Sequence, residues 1–139
     1  MKKILSLVLL LSLSLLSSSK MNTLGYFSNF DEAIAQAKKE NKMVMMIMTK
    51  DGCPWCKKLK ESVLLQDQVS SRIKNEFVAL ILNRDTDMYP SYYKTKYTPT
   101  TYFIDANSEE EVWSNIGYAK KKDFLETLDD AHNAATELN

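Results

Sequence analysis

The sequence predicts an α/β domain: a central mixed sheet, made of a βαβ unit followed by a ββα unit, with helices on both faces. Three observations carry that expectation. Met43-Val44-Met45-Met46-Ile47-Met48 and residues 77–82 are near-continuous apolar runs bounded by polar turns, the pattern of strands buried on both faces in the middle of a sheet. Stretches with apolar residues at helical spacing precede, separate and follow these runs. Two further short runs, Thr100–Ile104 and Glu111–Ile116, are joined by the turn Asp105-Ala106-Asn107-Ser108 and read as a hairpin.

In chain order, residues 29–40 form an amphipathic helix, because Phe30, Ala33, Ile34 and Ala37 fall at i, i+3, i+4 and i+7. Asn29 with Glu32 three residues later resembles a capping-box start. The strand at 42–49 leads through Asp51-Gly52 into Cys53. Pro54 suits a first helical position, and the helix it opens lines Cys56, Leu59 and Val63 along one face, with Asp67 capping a further turn. The strand at 77–82 ends at Asn83-Arg84-Asp85. A short helix is expected over 90–96, placing Tyr89, Tyr93 and Tyr97 on one side. After the hairpin, residues 120–136 form an amphipathic helix carrying Phe124, Leu125, Leu128 and Ala135.

The beginning of the chain obeys other rules. Met1-Lys2-Lys3, an apolar stretch from Ile4 to Leu16 and Ser17-Ser18-Ser19 have the form of a secretory signal peptide, assigned to residues 1–20. Cleavage is expected just before Lys20 or Met21, leaving 21–139 as one domain in the periplasm. A retained anchor would need about 20 apolar residues to cross a bilayer, and this stretch is shorter. Removing Lys2, Lys3 and Lys20 leaves 15 basic against 18 acidic residues, a formal charge of about −3. Bases and acids are interleaved, which argues against nucleic acid as a partner.

Chemistry is concentrated in Cys53-Pro54-Trp55-Cys56, which holds both cysteines of the chain. A disulfide closing so short a loop constrains the unfolded chain little, so redox exchange or metal capture is a better reading than a staple. If Cys53 caps the helix that Pro54 opens, unpaired backbone N–H groups and the helix dipole favour its thiolate. Cys53 is then the attacking sulfur, and Cys56, one turn on and expected to be more buried, resolves the mixed disulfide. Lys50, Lys57 and Lys58 stand near in sequence and add positive field. Trp55 reads equally as packing over the helix start and as a ring that meets substrate.

Cys53 to Leu59 at the end of a buried strand, Thr98-Pro99-Thr100 opening the third strand, and Gly117 before the last helix resemble the thioredoxin superfamily. The likeness extends over 21–139 and is nearest to compact exported thioredoxin-like proteins and to the C-terminal domain of transmembrane thiol:disulfide interchange proteins. It implies a thioredoxin fold and thiol-disulfide oxidoreductase activity without a cofactor. It also implies a cis bond at Pro99, where most X-Pro bonds are trans, with Thr98 and Pro99 forming a peptide-docking edge beside Cys53. The sequence departs from the family in three places. Gly52 stands where many members have Trp, and Ile47 and Ile81 stand where thioredoxins keep a buried acid and its lysine partner. Asp51 and Glu61 are the nearest carboxylates that could stand in as the acceptor of the Cys56 proton, though surface solvation explains each more simply.

The remaining features are mostly structural in origin. Methionines alternating along one strand cannot converge on one ion, and two Cys with the distant His132 are too few for zinc. Asp85 and Asp87 lack the rest of a calcium loop. The expected role is a monomeric reductase of cysteine-containing envelope proteins, recharged by a membrane-embedded electron donor. A periplasmic oxidant, an isomerase and a client-peptide binding module with incidental redox activity are the alternatives. The chain shows neither the inserted helical domain of strong periplasmic oxidants nor the dimerisation domain of isomerases, which places reduction first.

Overall fold

A computed structural model describes residues 24–138. The signal peptide assigned to residues 1–20 lies outside the described residues. The elements in order are α1 (Phe30–Glu40), β1 (Met43–Thr49), α2 (Pro54–Leu59), α3 (Asp67–Glu76), β2 (Phe77–Asn83), β3 (Thr100–Ile104), β4 (Glu111–Ile116) and α4 (Lys121–Glu137). A π-helical turn, Lys60–Leu64, continues α2, and a 3-10 turn, Ser91–Tyr93, sits between β2 and β3. The sheet runs β2-β1-β3-β4, with β1 and β2 parallel and the pairs β1–β3 and β3–β4 antiparallel. Phe27 adds one parallel bridge to Leu80 beyond β2.

Side-chain alternation along the strands divides the core into two layers. Met45, Ile47, Phe77, Ala79 and Phe103 face α3, α4 and the α2 segment, meeting Leu59, Val63, Ile73, Phe124 and Leu128. Val44, Met46, Met48, Leu80, Leu82 and Ile104 face α1, meeting Phe30, Ala33, Ile34 and Ala37. The methionines of β1 are thus shared between the two layers. Continuous apolar runs are required here because β1 and β2 are covered on both sides.

Local chemistry accounts for the helix boundaries. The Asn29 side chain accepts the backbone N–H of Glu32 at 3.0 Å to open α1, and Asn41, at φ 51°, closes it in the left-handed conformation. α3 is a full helix of 10 residues where the sequence suggested a single capped turn, and Gln66 rather than Asp67 holds its N-cap position. Val69 and Ile73, four apart, are its buried contacts, so its apolar stripe is narrow.

The helix expected over 90–96 shrinks to the turn Ser91–Tyr93. Two competing demands explain this. The Arg84 guanidinium takes the carbonyl oxygens of Thr95 and Lys96, at 3.2 and 2.6 Å, and Thr98 precedes a proline, which disfavours helical backbone there. The tyrosines consequently part company: Tyr93 is buried with its hydroxyl donating to the carbonyl of Glu109 at 2.8 Å, whereas Tyr97 is 63% exposed.

Candidate active site

The site lies where β1 gives way to α2. Gly52 turns the chain at φ +64°, a conformation that a residue with Cβ adopts at a cost, which suits glycine to this position. Cys53 follows as the N-cap, with φ −89° and ψ 103°, and Pro54 occupies the first helical turn. The Cys53 Sγ accepts the backbone N–H of Cys56 at 3.1 Å. Cys53 and Cys56 are joined as a disulfide with their Cα atoms 5.3 Å apart. The helix cap and the redox bond therefore share one sulfur atom.

The Thr98-Pro99 peptide is cis and passes directly over that sulfur. The Thr98 hydroxyl donates toward Cys53 Sγ at 3.5 Å, and the Thr98 carbonyl oxygen lies 3.6 Å from it. This strap is held at several points. Arg84 binds the two carbonyls at 95 and 96, and the Thr95 hydroxyl accepts the Tyr97 N–H at 3.1 Å. Thr100 donates its hydroxyl to the Tyr97 carbonyl at 2.7 Å, and Gly117, at φ +90°, donates its N–H to the Pro99 carbonyl at 2.8 Å. Arg84 was legible in the sequence only as part of a turn; nothing local to it signals a partner eleven residues away.

Burial of the two cysteines reverses the expectation. Cys53, beneath the strap, is 9% exposed, and Cys56 is half-buried. The reason is the strap, whose Thr98 lies against Cys53 Sγ; a cavity of about 630 Å³ reaches both cysteines and is lined by Ile47, Leu59, Leu64 and Ile81, with Lys50, Lys57 and Lys60 among its polar residues. Ile47 and Ile81 replace the acid–lysine pair of the wider family, so this space is walled by aliphatic side chains at those positions. Of the two carboxylates weighed as proton acceptors, Asp51 accepts from the Asn83 side-chain amide at 2.9 Å, and Glu61 lies 4.0 Å from the Lys57 ammonium. Both line the same cavity.

Trp55 is 54% exposed and leans on Tyr118, ring centroids 5.5 Å apart. The Lys58 ammonium sits over both rings, 5.0 and 5.1 Å from their centroids. The contact with Lys58 follows helical i, i+3 spacing and could have been found in the sequence. Tyr118 was missed, although it directly follows the glycine that anchors the strap. His132 belongs to a different place: it meets Glu76 at 2.9 Å and packs on Phe77, joining α4 to α3. Among the described residues no group of three or more His, Cys, Asp or Glu is arranged to hold a metal ion.

A thioredoxin-like domain family model matches residues 30–132. Anterior gradient protein 3 of Mus musculus is 25% identical over 80 residues, covering 58% of this chain and 48% of the mouse protein, so the chain spans about half the length of that relative. The protein of the same name from Xenopus tropicalis is 26% identical over 120 residues, covering 83% of this chain and 73% of its own. Among solved structures, a thioredoxin from Thermus thermophilus superposes with a TM-score of 0.65 at 28% identity, covering 75% of this chain and 84% of that one. The oxidised C-terminal domain of Neisseria meningitidis DsbD gives 0.62 at 19% identity, covering 76% and 98%, a likeness of fold. With the paired cysteines at the start of α2, the family match identifies the chain as a member of the thioredoxin-like family and a thiol-disulfide oxidoreductase.

Proposed function

We propose that this oxidoreductase is exported, works as a monomer in the periplasm and reduces disulfides of cysteine-containing envelope proteins. The observation that carries the reading is the Cys56 N–H aimed at Cys53 Sγ, with the Thr98 hydroxyl beside it. Both donors stabilise negative charge on that sulfur, so in the reduced protein Cys53 is the nucleophile. The Thr98 carbonyl at 3.6 Å acts in the opposite sense, accepting the S–H when the sulfur is protonated.

In the reduced protein the Cys53 thiolate attacks one sulfur of the substrate disulfide, and the other substrate sulfur leaves as a thiolate. The Cys56 thiol loses its proton to water in the adjoining cavity or to a leaving thiolate. Its sulfur then attacks Cys53 Sγ and expels the second substrate thiol. Two electrons have passed from the Cys53–Cys56 dithiol to the substrate, and the pair is left as a disulfide. Thr98 presents backbone groups beside the sulfur for an extended substrate, Pro99 brings no competing N–H, and Trp55 offers an exposed ring. A membrane-embedded electron donor then returns two electrons to the pair, because the periplasm has no thiol buffer of its own.

Export is supported by the leader-like residues 1–20, and the reducing direction by the resemblance of the sequence to exported reducing domains. Cys56→Ser should accumulate mixed disulfides with envelope proteins on non-reducing gels, and the further change Cys53→Ser should abolish them. No adduct at all would contradict the reading. Equilibration with glutathione separates the directions: a potential near about −270 mV marks a reductant and one near about −120 mV an oxidant.

A further inference from the structure

We infer that the redox face selects disulfides whose cysteine is flanked by acidic residues. The inference rests on the reductase reading and adds a substrate class to it. The geometry behind it is a segregation of charge. The described chain carries more acids than bases, yet Lys50, Lys57 and Lys60 line the cavity at the disulfide, and Lys58 stands over the Trp55 and Tyr118 rings outside that cavity. Lysines thus stand on two sides of the site that holds the disulfide.

The acids lining the cavity are Asp51, which meets the Asn83 amide, and Glu61, whose contact with the Lys57 ammonium offsets that charge and leaves Lys58 as the best-placed one. Lys58 differs from an ordinary surface lysine because two rings fix where its charge sits. Tyr118 is tied to the strap through Gly117, whose N–H binds Pro99, so the Lys58 charge is held in register with the docking edge. Lys96, exposed two residues before Thr98, adds positive charge along that edge. A peptide paired with Thr98 would run past these ammonium groups, and a carboxylate next to its cysteine would meet them. Such complementarity acts chiefly on the rate of encounter and is screened by salt.

Three peptides with the same intrachain disulfide, carrying Glu, Gln or Lys on both sides of one cysteine, test this with the reduced full-length domain. Single-turnover rates are divided by the rates of the same peptides with the uncharged reductant tris(hydroxypropyl)phosphine, which corrects for the intrinsic effect of the neighbours on the disulfide without bringing the charge of an attacking thiolate. At low ionic strength the normalised rate should fall in the order Glu, Gln, Lys, with about tenfold between the extremes. The spread should shrink in 0.5 M salt. Lys58→Gln should lower the Glu-to-Gln ratio at least about twofold, and Lys58→Arg should restore it. Equal normalised rates for all three peptides at low salt would overturn the inference and leave the reductase reading standing. Failure of the protein to reduce any of them would overturn both.

Discussion

At the scale of single residues, the site depends on how firmly the strap holds Thr98 over Cys53. Arg84 is a positioning residue in this sense: it touches neither sulfur, but its guanidinium fixes the two carbonyls just upstream of Tyr97. Its side chain is largely buried and also meets Asp85 at 3.4 Å, so it has little freedom to wander. Arg84→Met should raise KM for a peptide disulfide several-fold, because the docking edge loses its register, while kcat changes little. The same variant should react with dithiothreitol at nearly the parental rate, since a small reagent needs no edge. An equal fall in both reactions would show that Arg84 acts through general stability instead. Thr98→Val keeps the shape of the side chain and removes the hydroxyl that points at Cys53 Sγ. Thiol exchange through Cys53 should slow by roughly tenfold, the value of one hydrogen bond to a charged group, measured as the alkylation rate of the reduced protein.

Among elements, the contact between α3 and α4 contributes a pH-dependent part of the stability. Arg72 binds Glu76 through Nε at 2.7 Å and a terminal nitrogen at 2.9 Å, and reaches Asp129 on α4 at 2.8 Å. His132 of α4 joins Glu76 at 2.9 Å. Hydrogen bonding from Arg72 holds the Glu76 carboxyl below the usual carboxylate range, against the opposing effect of partial burial. A lowered folded-state value means that the stabilisation is present at neutral pH and is lost as pH falls through the folded value. Glu76→Gln should therefore cost about 1–2 kcal/mol at pH 7 by urea denaturation, and the gap to the parent should close in acid. A pH-independent gap would assign the loss to packing. Leu59→Ala, under the end of α2, removes a fully buried side chain that supports the cysteine turn. It should cost about 2–5 kcal/mol.

For the molecule as a whole, what could be read in advance was whatever local chemistry determines. The apolar runs of β1 and β2 announce strands because burial on two faces leaves no room for polar alternation, and Asn29 announces a helix start because its side chain caps the first turn. The cysteine pair and Pro54 are legible for a similar reason, since each acts within a few residues of itself, whereas the cis bond at Pro99 was legible only through the family resemblance, because most X-Pro bonds are trans. What escaped depends on tertiary partners. The segment 90–96 has helical spacing, and only the captured carbonyls at 95 and 96 show why it cannot coil. α3 has a narrow stripe of two buried residues, too weak a periodic signal to mark a full helix before the sheet and α4 are in place. The order of burial at the cysteines was misjudged because the strap that covers Cys53 comes from residues 45 positions away.

That last reversal sets the sharpest test. If exposure governed reactivity, Cys56 would be alkylated first; if the N–H and hydroxyl donors around Cys53 govern it, Cys53 would be. The fully reduced domain, treated with less than one equivalent of iodoacetamide near pH 6 and mapped by peptide mass spectrometry, should carry the label on Cys53. Label found mainly on Cys56, or divided evenly between the two, would contradict the assignment of the attacking sulfur on which the proposed exchange is built.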